Sequence, residues 1–451
     1  MYSEKSLLLS RLNQDIYSII FKYLDNFSLV VLGQTCRHFY ALVSRELSFT
    51  SAIWREIDCN PVPNGPPMFH NRCLVGIDNK LYLPWMTKEP VCFVFDVSLC
   101  CWENPISLEI RSTLYRPFVT PVAAIGSKVY MFGGREVSSS ALSNSLWVLD
   151  INTRIVTHLD VNGIPPRPRF DHSLDVLEDR YLIVFGGMCA DSPGESDVFV
   201  FDTLTNTWQE PPVDGRLPSA RFGHASVMVG CYLYVYGGCL IQTQGNTVHD
   251  LLYRLDCSTW TWYKYDHPEA YLYRHRLNVP NIAEISQSLQ EGFVVETTGT
   301  PPRDRFQCTM CAVGRSLLVM GGQTIRQDVN DTNELHVHSL RTIDVFDSRR
   351  KHWSSITTST NVYPDSLTCI QIQNCLKGGH FMIVLGQHKI FEYQSKDKSR
   401  QIPDEEGYLD TTIYSHTFIQ DDSQAAYDGT SSLKHNTEHI CLVLSLNEYS
   451  I

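Results

Sequence analysis

Four times in this chain an apolar run ends in two glycines: VYMFGG at Gly133-Gly134, LIVFGG at Gly186-Gly187, LYVYGG at Gly237-Gly238 and LLVMGG at Gly321-Gly322. A second apolar run follows each pair and closes on an aspartate: LWVLD at Asp150, VFVFD at Asp202, LYRLD at Asp256 and IDVFD at Asp347. Six residues beyond three of these aspartates stand Trp208, Trp262 and Trp353, while Val156 takes that place after Asp150. A phenylalanine lies about fifteen residues before each glycine pair, at Phe118, Phe170, Phe222 and Phe306. Short apolar runs bounded by glycine read as strands, and paired glycines as a backbone turn that side chains would obstruct. Four marks recurring in one order describe a repeated unit of about fifty residues.

The register extends at both ends. Phe69, Pro84-Trp85, Asp96 and Trp102 form an earlier copy, and Leu367, Gly386-Gln387 and Gln394 a degenerate later one. Each copy predicts a four-stranded antiparallel sheet that cannot cover both its faces alone, with the tryptophan covering an edge against the next sheet. Radial stacking of such sheets closes a β-propeller. The marks resemble the kelch repeat, from about Phe69 to Arg400. The expected fold is mainly β, a kelch-type propeller over 69–402, with the weak outer copies leaving the count at six blades or seven. In the C-terminal segment 403–451, His439–Leu444 is a candidate closing strand.

The first sixty residues have another rhythm. Leu12, Ile16, Ile19, Ile20, Tyr23 and Leu24 form a helical stripe. Ser28 caps a second helix with Leu29, Val30 and Leu32, and Thr35 starts a third with Cys36, Phe39, Leu42 and Val43. Ile53, Trp54 and Ile57 predict a last helical turn, so the small all-α module spans 8–58, and the Pro-rich stretch 59–68 reads as a linker. The run from Leu12 through Thr35-Cys36-Arg37 and Phe39 to Trp54 resembles an F-box, with Asn13 where that family usually has proline. The resemblance implies docking of a Skp-type adaptor and, through it, a cullin. Its contact residues would be Leu12, Ile16, Ile19, Ile20, Phe21, Leu24, Leu29, Leu32, Cys36 and Trp54. The alternative is a helical cap whose apolar stripe packs on the propeller.

Composition narrows the function. With 43% apolar and 19% charged residues the 451-residue chain can bury a large core. A formal charge of -12 disfavours nucleic acid and anionic membranes as partners. No run approaches the ~18 apolar residues of a membrane span. Met1–Asp15 offers only Leu7-Leu8-Leu9, too little for a secretory signal. Fifteen scattered cysteines, an odd number, suit reduced thiols and a cytoplasmic or nuclear location. Cys308 and Cys311 form a lone CxxC whose members point to opposite faces of a strand. His336 and His338 share a strand face but lack a third ligand. No phosphate-binding glycine loop opens a helix, so no metal, cofactor or catalytic residue is expected.

Recognition is the remaining reading. Arg169, Arg221 and Arg305 precede the register phenylalanine in RPRFDH, SARFGH and RDRFQC. Guanidinium grips carboxylate or phosphate in a fork, and the resemblance to kelch domains implies that such arginines line a substrate pocket. The alternative is that they belong to the repeat's own architecture. Loop lengths point to one sector: the step from Trp208 to Arg221 is 13 residues, but from Trp262 to Arg305 it is 43. The excess, Tyr271–Glu296, carries Ile282, Ile285 and Leu289 at near-helical spacing. Gly321 to Asp347 is 26 residues against 16 from Gly186 to Asp202, an excess holding Gln327–His338. Both would sit on one face of adjoining blades, where recognition or a merely tolerated insertion could lie. The expected function is substrate recognition for an SCF-type cullin ubiquitin ligase. The alternative is a kelch scaffold organising signalling or cytoskeletal partners.

Overall fold

The computed structural model describes residues 72–356 with interruptions, the longest at 267–291, and four further strands outside that range by their backbone. The adaptor candidates Leu12, Ile16, Ile19, Ile20, Phe21, Leu24, Leu29, Leu32 and Cys36 lie outside the described residues.

Each aspartate mark has a turn to make. Asp150 Oδ1 accepts the amide of Asn152 at 2.9 Å, Asp202 that of Leu204 at 3.0 Å, Asp256 that of Ser258 at 3.0 Å and Asp347 that of Arg350 at 2.9 Å. A carboxylate bonding its own backbone two or three residues on is the chemistry of an Asx turn, and it folds the third strand back onto the outer one. The resulting antiparallel sheets follow in order. The first is Val75–Ile77, Lys80–Trp85, Val91–Asp96 and Cys101–Trp102; the second is Val122–Ile125, Lys128–Phe132, Leu146–Asp150 and Ile155–His158. The third holds Ser173–Leu177, Tyr181–Phe185, Val198–Asp202 and Thr207–Gln209. The fourth has Ala225–Val229, Tyr232–Tyr236, Leu252–Asp256 and Thr261–Asp266, and the fifth Thr309–Val313, Ser316–Met320, Ile343–Asp347 and His352–Ile356. A further sheet joins Ser366–Gln371, His380–Lys389, Thr437–Leu446 and, as its outer strand, Ala52–Ile57.

These sheets make a ring. The innermost strands neighbour one another from Val75–Ile77 through Val122–Ile125, Ser173–Leu177, Ala225–Val229, Thr309–Val313 and Ser366–Gln371, which returns to Val75–Ile77. The core lies between sheets, and the tryptophans bind it. Trp208 packs on Phe132 of the preceding sheet at 4.9 Å, Trp262 on Phe185 at 5.1 Å and Trp353 on Tyr236 at 5.7 Å between ring centroids. Each partner is the aromatic residue immediately before a glycine pair. With Trp102 these indoles are buried, and burying such a side chain contributes about 1.5–3 kcal/mol. In the second sheet Val156 cannot fill that space, and the buried Trp147 of the third strand packs in the same interface.

In the second, fourth and fifth sheets the outer edge does not stay open. Asp214–Gly215 runs parallel to Thr261–Trp262, Thr298–Gly299 to His352–Trp353, and Glu109–Arg111 to Ile155–Thr157. Each incoming connection thus covers the backbone of the next sheet's outer strand, whose exposed ladder would otherwise invite pairing with another chain.

Three expectations are corrected. Residues 52–57, read as a helical turn, form a strand, so the all-α module does not run to residue 58. The apolar spacing of Ile53, Trp54 and Ile57 fits a helix, but pairing with Thr437–Leu446 decides the outcome. Second, the propeller does not begin at residue 69: the strand Ala52–Ile57, before the Pro-rich segment 59–68, already belongs to its last sheet. Third, the last copy does not run through Gln394: its third strand is Thr437–Leu446, within the segment expected to hold a closing strand.

Candidate functional site: the long-loop face and channel mouth

On the third, fourth and fifth sheets the residue after the glycine pair is bridged to the register phenylalanine, Phe170 to Met188, Phe222 to Cys239 and Phe306 to Gln323, and on the second Arg135 is paired with Val119, next to Phe118. The connection entering a sheet and the loop between its second and third strands are therefore joined and share one face. In the fifth sheet that loop grows into a hairpin, Gln323–Gln327 against Leu335–Ser339, which contains His336 and His338. The insertion after the fourth sheet returns as Val294–Glu296, parallel to Lys264–Asp266 on the outer strand, so it is rooted at the rim; 267–291 lies outside the described residues.

The three arginines are on this face but do not open onto it. Arg169, Arg221 and Arg305 are 0%, 1% and 1% exposed. Arg169 forks onto Asp197 at 2.6 and 2.7 Å and donates to the Gly186 carbonyl at 2.9 Å. Arg305 donates to Asp344 at 2.5 Å and to the Gly321 carbonyl at 3.1 Å. Arg221 donates to the carbonyls of Gly237 at 2.7 Å and Ser219 at 3.0 Å. Their own carbonyls accept from the preceding sheet: Gly134 N–H bonds Arg169 O at 2.8 Å, Gly187 bonds Arg221 O at 2.9 Å, and Gly238 bonds Arg305 O at 2.8 Å. A buried guanidinium satisfied by its own protein has no fork left for a partner. The expectation that these arginines bind target is corrected: they fasten loop to loop within a sheet and sheet to sheet around the ring.

The same geometry explains the glycines. At Gly186, φ is +63° and a Cβ would lie 2.8 Å from the Arg221 carbonyl oxygen; at Gly187, φ is +100° and a Cβ would lie 2.7 Å from the His172 Cβ. One glycine admits the next sheet and the other its own, both in a backbone conformation that glycine adopts without penalty.

What the face presents at its centre is the residue after each phenylalanine. Gly223 N–H donates to Asp171 O at 2.9 Å and Gln307 N–H to Gly223 O at 2.7 Å, while Gln307 Nε2 reaches the Asp171 carboxylate at 2.9 Å. Arg72 of the first sheet crosses to the His172 carbonyl at 2.5 Å. Together with Thr120 these groups line a narrow depression at the channel mouth. Farther out, the exposed Arg167 pairs with Asp191 and Glu195. The collar of Arg72, Asp171 and Gln307 was not singled out from sequence. Its signal is the variable third position in Arg-Phe-Asp-His, Arg-Phe-Gly-His and Arg-Phe-Gln-Cys, the place where the repeat does not dictate the residue.

Burial shapes the charges beneath. Desolvation, then the cations of Arg169 and Arg72, push the His172 imidazole well below its ordinary value, so it is neutral. Burial raises the Asp175 carboxyl to about 6, although the Ser226 hydroxyl donates to it at 2.8 Å. Burial also pushes the Cys308 thiol up, away from the reactive thiolate. Cys308 packs with Met310 and Ala312, alternate to Cys311, as strand geometry requires. Among the described residues no group of three or more His, Cys, Asp or Glu could hold a metal ion. Among the described residues there is no helix long and apolar enough to cross a membrane.

Comparison with known proteins adds two family matches. The F-box domain model matches residues 9–57, and the KLHDC2/KLHL20/DRC7 Kelch-repeats domain model matches residues 119–276. The acyl-CoA-binding domain-containing protein 5 of Arabidopsis thaliana is 34% identical over 178 residues, 37% of this chain and 26% of that protein. Kelch domain-containing protein 1 of Homo sapiens is 34% identical over 213 residues, 41% and 49% of the two chains. Kelch domain-containing protein 3 of Rattus norvegicus is 28% identical over 247 residues, 51% and 54%. The chain thus spans between a quarter and about half of these relatives' length.

Proposed function

Because the chain is an F-box protein with kelch repeats, we propose that it is the substrate-recognition subunit of an SCF-type cullin ubiquitin ligase. The F-box holds a Skp-type adaptor, and through it a cullin, while the propeller holds a protein target on its long-loop face. The observation that carries this reading is the F-box match at 9–57 on the same chain as a recognition scaffold. The subunit contributes no catalytic group. Its mechanism is proximity: tethering raises the effective concentration of target lysines beside a charged ubiquitin-conjugating enzyme. Such a subunit works in the cytoplasm or nucleus, in keeping with its many free thiols.

Target contact falls to the collar of Arg72, Asp171 and Gln307 with the hairpin beside it, in place of the buried arginines. The test is capture of the adaptor by the full chain and by a variant with Leu24→Asp and Leu29→Asp. The variant should lose the adaptor while its propeller melts as before. If adaptor is absent from both samples, the scaffold reading takes over. Affinity purification with the proteasome inhibited then identifies targets, and Asp171→Ala with Gln307→Ala should deplete them selectively.

A further inference from the structure

We infer that the final residues of the F-box segment close the propeller, so that F-box and ring form one mechanical unit and not two bodies on a tether. The six residues Ala52–Ile57 end the matched segment 9–57, and they pair antiparallel with Thr437–Leu446, from Ala52 opposite Leu446 to Ile57 opposite Cys441.

Two features of the repeat agree on this register. In the first, third, fourth and fifth sheets the outer-strand tryptophan is paired with the residue before the aspartate mark: Trp102 with Phe95, Trp208 with Phe201, Trp262 with Leu255 and Trp353 with Phe346. Trp54, paired with Leu444, stands in that same place. The last sheet's tryptophan is thus supplied from before the first repeat. The aspartate's own place in this sheet belongs to Ser445, opposite Ile53. Elsewhere the aspartate holds the turn from third to outer strand; here no such turn joins the two strands, and the residue that would cap it is gone. The glycine register persists too, with Gly386 opposite Ile440.

Direction follows from the pairing. At Ala52 the chain joins the disc on the side of the third-to-outer turns, and at Ile57 it leaves on the side of the long loops. The segment 59–68 is then the return from the closing sheet to the first. Resting on the receptor reading above, this places the adaptor's attachment and the target on opposite faces of the disc, at a spacing the ring holds constant.

The test is a protease site introduced between Pro61 and Pro66 in the full chain, cut after folding. The two pieces should co-elute in native buffer and separate only in denaturant. A folded propeller that sheds the N-terminal piece in native buffer overturns the latch. In the same cut chain, Trp54→Pro with Arg55→Pro removes ladder hydrogen bonds and should release the N-terminal piece or prevent the ring from folding. Continued co-elution of a folded ring with that variant also overturns it, since contacts other than the strand would then hold the pieces. Adaptor capture is read separately: pieces that co-elute without binding adaptor leave the latch standing and remove the receptor reading alone.

Discussion

Replacing Arg305 with alanine separates architecture from recognition. The guanidinium is 1% exposed, its partner Asp344 5% exposed in the side chain, and it also donates to the carbonyls of Gly321 and Arg303. Ser355 still donates to Asp344 at 2.6 Å after the change, but the carboxylate is left buried without its cation. Removing one member of a buried ion pair costs about 3–5 kcal/mol, most of it from the charge left behind. The loss should show as an earlier midpoint in urea unfolding followed by tryptophan fluorescence. Arg305→Met with Asp344→Leu, which removes both charges, should recover much of it. Arg167→Ala, at a side chain 53% exposed, should leave the midpoint in place. The reasoning is refuted if Arg305→Ala unfolds within ~0.5 kcal/mol of wild type while losing targets that Arg167→Ala retains.

Gly186→Ala forces a Cβ to 2.8 Å from the Arg221 carbonyl at positive φ and should lower stability by about 2–3 kcal/mol. Gly126→Ala, also at positive φ but with nothing within 4 Å, should cost about 1 kcal/mol, and thermal melts compare the two. Trp262→Ala empties the contact with Phe185 and should cost about 3–5 kcal/mol in denaturant titration. Asp175, raised to about 6 against ~3.9 unfolded, binds its proton more tightly when folded, so its contribution favours folding below pH ~4 and is lost between pH ~4 and ~6. Asp175→Asn should therefore match wild type near pH 4 and exceed it by up to about 3 kcal/mol at pH 7.5. A difference that stays constant across this range contradicts the assignment.

The ring was legible because its marks each do a local job. A glycine pair, an Asx turn and a packed indole leave fixed spacings, and Gly186, Asp202 and Trp208 can be read without knowing what they touch. The role of the arginines was not legible. Arg169 and Arg305 find their carboxylates at Asp197 and Asp344, at separations of 28 and 39 residues that no periodicity links. An arginine beside a motif looks equally suited to a ligand or to its own protein until burial is known. The closing strand was misread for a similar reason: six residues before the first repeat take their conformation from Thr437–Leu446, nearly the other end of the chain. The long step from Lys389 to Thr437 likewise hid the third strand of the last copy.

The fastening of three glycine pairs, through Gly134, Gly187 and Gly238, to the arginine of the following sheet has a thermodynamic corollary. In an open array of repeats a terminal unit has one neighbour, so melting can begin at an end and partly folded forms are populated. Here the unit holding Gly187 depends on Arg221 ahead of it, while its own Arg169 receives the bond from Gly134 behind, and the inner strands continue this dependence around the circle. Among the described sheets no unit is terminal. Damage to one sheet should then withdraw support from both neighbours, which disfavours intermediates and makes cooperative unfolding the expected outcome. A lesion in any described sheet should therefore shift one transition for the whole ring, and amide exchange should slow toward a common limit across sheets far apart in sequence.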